Sequence, residues 1–439
     1  MNILIRPSKT EGSIQPPSSK SLSHRALILA GLAEGTSTIR NISLSRDIEA
    51  TADCLKALGV KVEQKMQKQP NTCTFIITGN RVQDLKDPVV LDAYESGSTL
   101  RFFIPIAASG SEPVRFLGQP VLLTRPMGVY ADLFLAQNLP FSQSPEAIEF
   151  HGPLQAGIFQ IPGSISSQFI SGLLMASPLL SGGEIETAIA VLPPYQSRSY
   201  TGLTVSMMKQ FGVQVDEPSS EGYTVSPNQA YHPCDLSIEA DCSQMAFFGV
   251  LGAIQDQITM TNLNPDSAQG DFVIVDFLKK AGAGLSWNEN ALTVTSASSL
   301  GKKLSPLVMD LADCPDLGPI LCVLAAYTEG ESRLIHASRL RYKECDRIAA
   351  MEEELKKWNV DIESDEDSIT IRGRTCYQMD ETVHIDSHND HRIAMAMSIF
   401  GLCARSDSII ENAQAISKSY PMFYEDLRKL KGDVSECQN

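Results

Sequence analysis

Basic and hydroxyl side chains gather in a few short phrases of this chain, and their spacing suits the holding of anions. The sharpest phrase is Pro16-Pro17-Ser18-Ser19-Lys20-Ser21-Leu22-Ser23-His24-Arg25. The prolines keep the chain extended, and Ser18 or Ser19 stands where it can cap a helix. Lys20 then falls in the first turn, where the helix dipole disfavours a cation. A bound anion would compensate it, and Arg25, about one and a half turns on, would flank the same ligand. The plainer reading of the pair is a solvated surface Lys and Arg.

Other phrases extend the pattern. In Glu95-Ser96-Gly97-Ser98-Thr99-Leu100-Arg101, Gly97 lets backbone N–H groups approach a ligand closely. Ser166, Ser167 and Gln168 put three hydrogen-bonding side chains at a helix start, and Ser197-Arg198-Ser199-Tyr200 is again hydroxyl-rich and basic. Asp316 is the odd one out: a carboxylate among anion sites reads as a candidate general base, or more plainly as a cap. In the run Arg339 to Arg347, a helix beginning there sets Lys343 and Arg347 on one face, with Glu344 beside them. An exposed, salt-bridged helix is the plainer account. His388-Asn389-Asp390-His391-Arg392, with His384 and Asp386, has the look of a metal cluster. Arg392 would repel a cation, and no other Cys/His pair stands at ligand spacing, so no metal is expected. Lys418 sits in the polar loop Ser417-Lys418-Ser419-Tyr420-Pro421.

These phrases recur with a rhythm. A polar start, about a dozen mostly apolar residues, a break and a β-type stretch begin near Ser19, Ser96, Ser166, Cys242, Pro315 and Asp390. The starts lie 70 to 77 residues apart. A second marker, a helix end running into a strand, falls at Ala57–Val62, Gln137–Phe141, Gln210–Val215, Lys280–Leu285, Lys357–Ile362 and Lys429–Val434. Gly or Asn at such a point can take the left-handed conformation that ends a helix. Two markers on one period argue for one α/β unit used six times, with helix N-termini as repeated anion sites. The polar stretch Glu63–Thr74 reads as a mobile connection between strands.

Composition narrows the function classes. With 36 Lys and Arg against 52 Asp and Glu, the net charge is −16, which disfavours nucleic acid or an acidic membrane as partner. No apolar run reaches membrane-spanning length, and the start lacks the basic-then-apolar pattern of a signal segment, so a soluble, cytoplasmic protein is expected. The 10 Cys form no C-x-x-C pair and read as reduced thiols.

The Lys20–Arg25 phrase, Ser166–Gln168, Lys343–Arg347, Asp390–Arg392 and Lys418–Pro421, in this order, resemble the 5-enolpyruvylshikimate-3-phosphate synthases over essentially the whole chain. The resemblance implies an α/β fold of two similar domains, each of three βαβαββ units, with the active site in the interdomain cleft. One domain would comprise 1–17 with 236–439, the other 18–235. It implies transfer of the enolpyruvyl group of phosphoenolpyruvate to the 5-hydroxyl of shikimate 3-phosphate through a tetrahedral intermediate, with release of phosphate. Shikimate 3-phosphate would be held by Lys20, Ser21, Arg25, Ser166, Ser167, Gln168, Ser197, Tyr200, Asp316 and Lys343. Phosphoenolpyruvate would be held by Lys20, Gly97, Arg125, Gln168, Arg347, Arg392 and Lys418. Asp316 would take the hydroxyl proton, and Glu344 and Lys20 would handle the proton at the methylene carbon. No metal or organic cofactor is implied, and a monomer is expected.

Departures from the family pattern are specific. Glu95 and Ser96 replace Asn and Ala ahead of Gly97; only Arg125 remains of the two arginines in P-R-M-x-x-R-P; Arg339 stands where an Asn often helps bind shikimate 3-phosphate. The herbicide glyphosate competes with phosphoenolpyruvate in this family, and Gly97 leaves the room it needs, so binding is expected. The rivals are the sister transferase acting on UDP-N-acetylglucosamine, the RNA 3′-terminal phosphate cyclases, and a repeat-built binding scaffold. The loop 117–126 lacks the Cys common in the first. The net charge disfavours the second. The third leaves Asp316 and Glu344 unexplained.

Overall fold

Helices that are apolar on every side must be buried on every side, and such helices form the interior of this protein. In a computed structural model that describes all residues except 68–71, 82–84, 86, 220, 221, 438 and 439, Cys242–Ile254 is buried from Cys242 to Ala253. Gly318–Ala326 is buried throughout, and His391–Cys403 from His391 to Leu402. Lys20–Leu32, Gly97–Ala107 and Ser167–Ala176 are buried along most of their length. Amphipathic helices such as Arg46–Ala57, Ile274–Ala281 and Arg347–Lys356 bury one side only.

Five of the six interior helices start on a side-chain cap. Ser19, Ser96, Ser166, Asp241 and Asp390 accept from backbone N–H groups at Leu22, Thr99, Gln168, Ser243 and Arg392. The exception is Gly318–Ala326, entered through the 3₁₀ turn Pro315–Leu317, where the Asp316 side chain caps nothing.

Among the described residues the strands form six four-stranded sheets, all with one pairing pattern. One edge strand runs parallel to its neighbour and the other two pairings are antiparallel, as in Val308–Asp310, Gly330–Ile335, Ser368–Gly373 and Asp361–Ser364. Two sheets are completed by the start of the chain. Asn2–Arg6 lies between Ser408–Glu411 and Asp433–Cys437, and Glu11–Ile14 pairs in parallel with Gln257–Met260.

The chain divides into two compact units, Met1–Pro17 with Glu239–Asn439, and Ser18–Ile238. Each has its own apolar core. The second unit runs to Ile238, and Leu236 and Ser237 pair in parallel with Ile39 and Arg40.

Two local expectations are corrected. Most of Glu63–Thr74 is strand: Lys61–Met66 pairs antiparallel with Thr72–Thr78, from Lys61 opposite Thr78 to Met66 opposite Cys73; residues 68–71 lie outside the described residues. At the helix-to-strand junctions the left-handed residue is Gly59, Asn138, Gly212, Gly282 or Asn359, but in the last junction it is Lys431 (φ 69°), not Gly432.

Candidate functional site

In the unit Ser18–Ile238 the helix starts carry cations, and two arginines among them, Arg25 and Arg101, face neutral oxygens. Lys20 opens its helix one residue after the Ser19 cap and pairs with Asp47 at 3.0 Å. Arg25 is buried one turn further along. Its Nε donates to Thr204 Oγ1 at 2.7 Å, Nη1 to the Ser21 carbonyl at 2.7 Å, and Nη2 to Ser171 Oγ and the Tyr200 carbonyl. Burial lowers its pKa to about 10, which still leaves it charged at neutral pH. His24, beside it, is pushed by burial down to about 3 and stays neutral.

A second group converges at the start of Gly97–Ala107. A Cβ built on Gly97 would stand 3.1 Å from Arg101 Nη1, 3.3 Å from Arg125 Nη1 and 3.7 Å from Gln168 Oε1. Burial and the neighbouring Arg125 bring Arg101 down to about 10. Among the described residues neither arginine has an ion-pair partner. Ser166 caps the helix of Ser167 and Gln168. Ser197, buried and left-handed at φ 53°, precedes the helix Arg198–Gln210 that carries Tyr200.

The other unit gathers its residues around carboxylates. Asp316 Oδ1 takes Arg347 Nη1 at 3.1 Å and Lys343 Nζ at 3.3 Å, while Oδ2 takes Arg392 Nη2 at 3.0 Å. Arg392 Nη1 also donates to the Asp316 carbonyl at 3.0 Å. Arg347, fully buried, donates from Nη2 to Glu344 Oε2 and from Nε to Asp390 Oδ2, both at 2.7 Å. Burial alone would raise the carboxyl of Asp316. Arg392, Lys343 and Arg347 together carry it well below the usual carboxylate range. Glu344 is also lowered: Arg347, His391 and Lys343 outweigh its burial. Lys343 is lowered by burial, against the pull of Asp316. Lys418 Nζ donates at 2.8 Å to the Asn389 carbonyl, just ahead of Asp390.

Lys343 does not lie on the expected helix. Ser338–Tyr342 is a 3₁₀ turn, Lys343 is extended, and the helix begins only at Arg347, where Asp346 accepts from the N–H groups of Ile348 and Ala349. Lys343 and Arg347 still meet, through the shared oxygen of Asp316.

The sequence profile described as EPSP synthase (3-phosphoshikimate 1-carboxyvinyltransferase) matches residues 5–427. The chain belongs to the EPSP synthase family. A 3-phosphoshikimate 1-carboxyvinyltransferase of Clostridium kluyveri is 40% identical over 436 residues, 99% of this chain and 98% of that protein. One of Clostridium acetobutylicum is 38% identical over 438 residues, with the same coverage of each, 99% and 98%. Among solved structures, an EPSP synthase of Acinetobacter baumannii has a TM-score of 0.81 at 25% identity, covering 99% of this chain and 100% of that one. The enolpyruvyl transferase NikO of Streptomyces tendae has a TM-score of 0.78 at 15% identity, covering 100% of this chain and 99% of the other; that likeness speaks for the fold alone.

Four residues of these family clusters carry no role in the sequence reading. They are Asp47 against Lys20, Arg101 beside Gly97, Asp390 against Arg347, and Ser243, which accepts from Arg392 Nη2 at 3.0 Å. Arg101 and Asp390 stand inside the motifs Glu95–Arg101 and His388–Arg392. Asp47 and Ser243 are marked only by lying at helix starts.

Proposed function

We propose that this protein transfers the enolpyruvyl group of phosphoenolpyruvate to the 5-hydroxyl of shikimate 3-phosphate and releases phosphate, the step in aromatic biosynthesis that leads towards chorismate. The observation that carries this reading is the family match across residues 5–427. The two clusters support it chemically, since both substrates are polyanions and the protein as a whole is acidic.

In this reading Lys20, Ser21, Arg25, Ser166, Ser167, Gln168, Ser197, Tyr200, Asp316 and Lys343 hold shikimate 3-phosphate. Lys20, Gly97, Arg125, Gln168, Arg347, Arg392 and Lys418 hold phosphoenolpyruvate. Asp316 takes the proton of the 5-hydroxyl as its oxygen bonds to C2 of phosphoenolpyruvate, and the methylene carbon gains a proton from Glu344 or Lys20. Elimination then removes a proton from that methyl group, re-forms the double bond and breaks the C–O bond to phosphate. Cations on the phosphate and carboxylate stabilise the charge that develops.

The charge arrangement gives Asp316 a substrate-dependent basicity. With Lys343, Arg347 and Arg392 all against it, its carboxylate is a weak base. Anionic substrates that engage those three cations release it, so its proton affinity rises only when both are bound. Glu344 gains proton affinity in the same way as Arg347 turns to the substrate.

The protein in this reading is a cytoplasmic monomer without metal or organic cofactor; sedimentation tests the monomer, and activity in excess chelator tests the absence of a metal. The decisive assay is phosphate release from phosphoenolpyruvate, run with shikimate 3-phosphate and separately with UDP-N-acetylglucosamine. Release with the first alone is expected, and release only with the second would overturn the reading.

A further inference from the structure

Arg101 has no role in the reading above, on which the following rests, yet it is fixed from several sides. Pro105, four residues on within the same helix, has no N–H to give to the Arg101 carbonyl. The buried Tyr130 hydroxyl donates to that carbonyl instead, at 2.7 Å. Gly172 makes the room: a Cβ there would stand 2.6 Å from both the Arg101 carbonyl oxygen and the Tyr130 hydroxyl. The guanidinium lies 5.2 Å from the centre of the Phe169 ring, and Nη1 donates to Gln168 Oε1 at 2.7 Å. Its Nε is sealed from solvent and meets no acceptor, so the side chain is held there at an energetic cost.

A guanidinium only donates. An amide facing it must turn its oxygen inward, and its NH₂ group then points away. In Gln168 that NH₂ donates to Ser98 Oγ at 2.9 Å, in the first turn of the Gly97 helix, and it carries a second N–H. The flipped amide would set NH₂ against guanidinium and offer an oxygen to an incoming anion, which is unfavourable on both sides. The geometry points to Arg101 as a positioning residue that locks the Gln168 amide with its second N–H left to donate to anionic substrate, and so sets the affinity for phosphoenolpyruvate.

The test is a double-mutant cycle on the full chain with Arg101→Met, Gln168→Ala and their combination. Arg101→Met should raise KM for phosphoenolpyruvate about tenfold while kcat falls by no more than about threefold. In the Gln168→Ala background the same change should add less than about twofold. Arg101→Lys, which keeps one donor to Oε1, should stay within about threefold of the parent. An equal factor in both backgrounds would mean that Arg101 acts on the anion directly or only on packing, and would overturn the inference. Gln168→Glu decides independently of how well Arg101→Met folds: it keeps the contact to Arg101 but has no N–H, so KM should rise as far as in Gln168→Ala. Parent-like KM in Gln168→Glu would overturn the inference as well. If the unaltered protein releases no phosphate from phosphoenolpyruvate with shikimate 3-phosphate, the underlying reading has failed; if it does and the cycle is additive, this inference alone has failed.

Discussion

The two units hold their cations in opposite ways. In Ser18–Ile238, Arg25 is enclosed by hydroxyl and carbonyl oxygens, and Arg101 faces an amide. In the other unit, Arg347 is bound to three carboxylates, those of Asp316, Glu344 and Asp390. The first arrangement leaves positive charge uncompensated and ready for an anion. The second is already neutralised from within, so an anion arriving there must compete with Asp316. This difference assigns the two clusters different tasks. On the proposed reading, the uncompensated one binds anionic substrate, while in the compensated one binding changes the proton affinity of a carboxylate.

Removing one arginine from each unit tests this difference. Arg347→Met leaves three carboxylates crowded together, two of them drawn well down by their cations, and should cost about 3–5 kcal/mol of stability, the usual scale for breaking a buried ion pair. Arg25→Met strands only neutral oxygens and should cost about 1–3 kcal/mol, while raising KM for shikimate 3-phosphate at least about tenfold. Chemical denaturation of both variants reads the difference, and equal losses would contradict the contrast.

Asp316→Ala and Glu344→Ala test the compensated cluster kinetically. Each should lower kcat roughly a hundredfold or more, the scale of acid–base catalysis, with smaller changes in either KM. Near-normal turnover in either variant would remove that residue from the proton chemistry.

Acid should act on the two clusters unequally. Asp316 and Glu344 have folded-state pKa values below their unfolded ones. Their contribution to stability is therefore complete above about pH 4 and is lost as pH falls below it. Arg25 and Arg101, at about 10, and their neutral partners do not titrate in that range. As their pKa values lie below the unfolded one, their cost is relieved only as pH rises beyond about 10. Hydrogen exchange on lowering the pH should thus open peptides around 343–348 and 388–395 before those around 97–105; the 20–30 segment carries the buried neutral His24 and has an acid sensitivity of its own. The reverse order would contradict the assignment of charges.

The sequence makes some of this plain and hides the rest for physical reasons. Ser19, Ser96 and Ser166 each precede an apolar run, a local signal for a capped helix, and each caps one. The ligands of Asp316 come from 343, 347 and 392, and no local rule brings those segments together. Lys343 misled because its charge run suits a helix face, although Asp346 marked the true start at Arg347. Lys61–Met66 was hidden because it is an edge strand exposed at every position but Val62, so it has no alternation to reveal it. Arg101 was legible as a residue of its motif, but its link to Gln168 spans 67 positions of sequence.

The smallest expected effect probes the uncompensated cluster most finely. Gly97→Ala adds one methyl group, 3.1 Å from Arg101 Nη1 and 3.3 Å from Arg125 Nη1. Both contacts are tighter than a comfortable approach, and the groups met are ends of long side chains, so the guanidinium groups should give way by a few tenths of an ångström rather than the helix break. Such a shift loosens an anion site without removing any charge from it. KM for phosphoenolpyruvate should rise several-fold, on the order of 1 kcal/mol, with kcat and stability nearly unchanged. Glyphosate, which competes for the same site in this family, should inhibit the unaltered protein in the presence of shikimate 3-phosphate and inhibit Gly97→Ala more weakly. No inhibition of the unaltered protein would refute the expected room at Gly97. Unchanged KM in the variant would mean that Arg101 and Arg125 tolerate displacement, and that the cluster binds by charge alone rather than by the fixed geometry seen around Gln168.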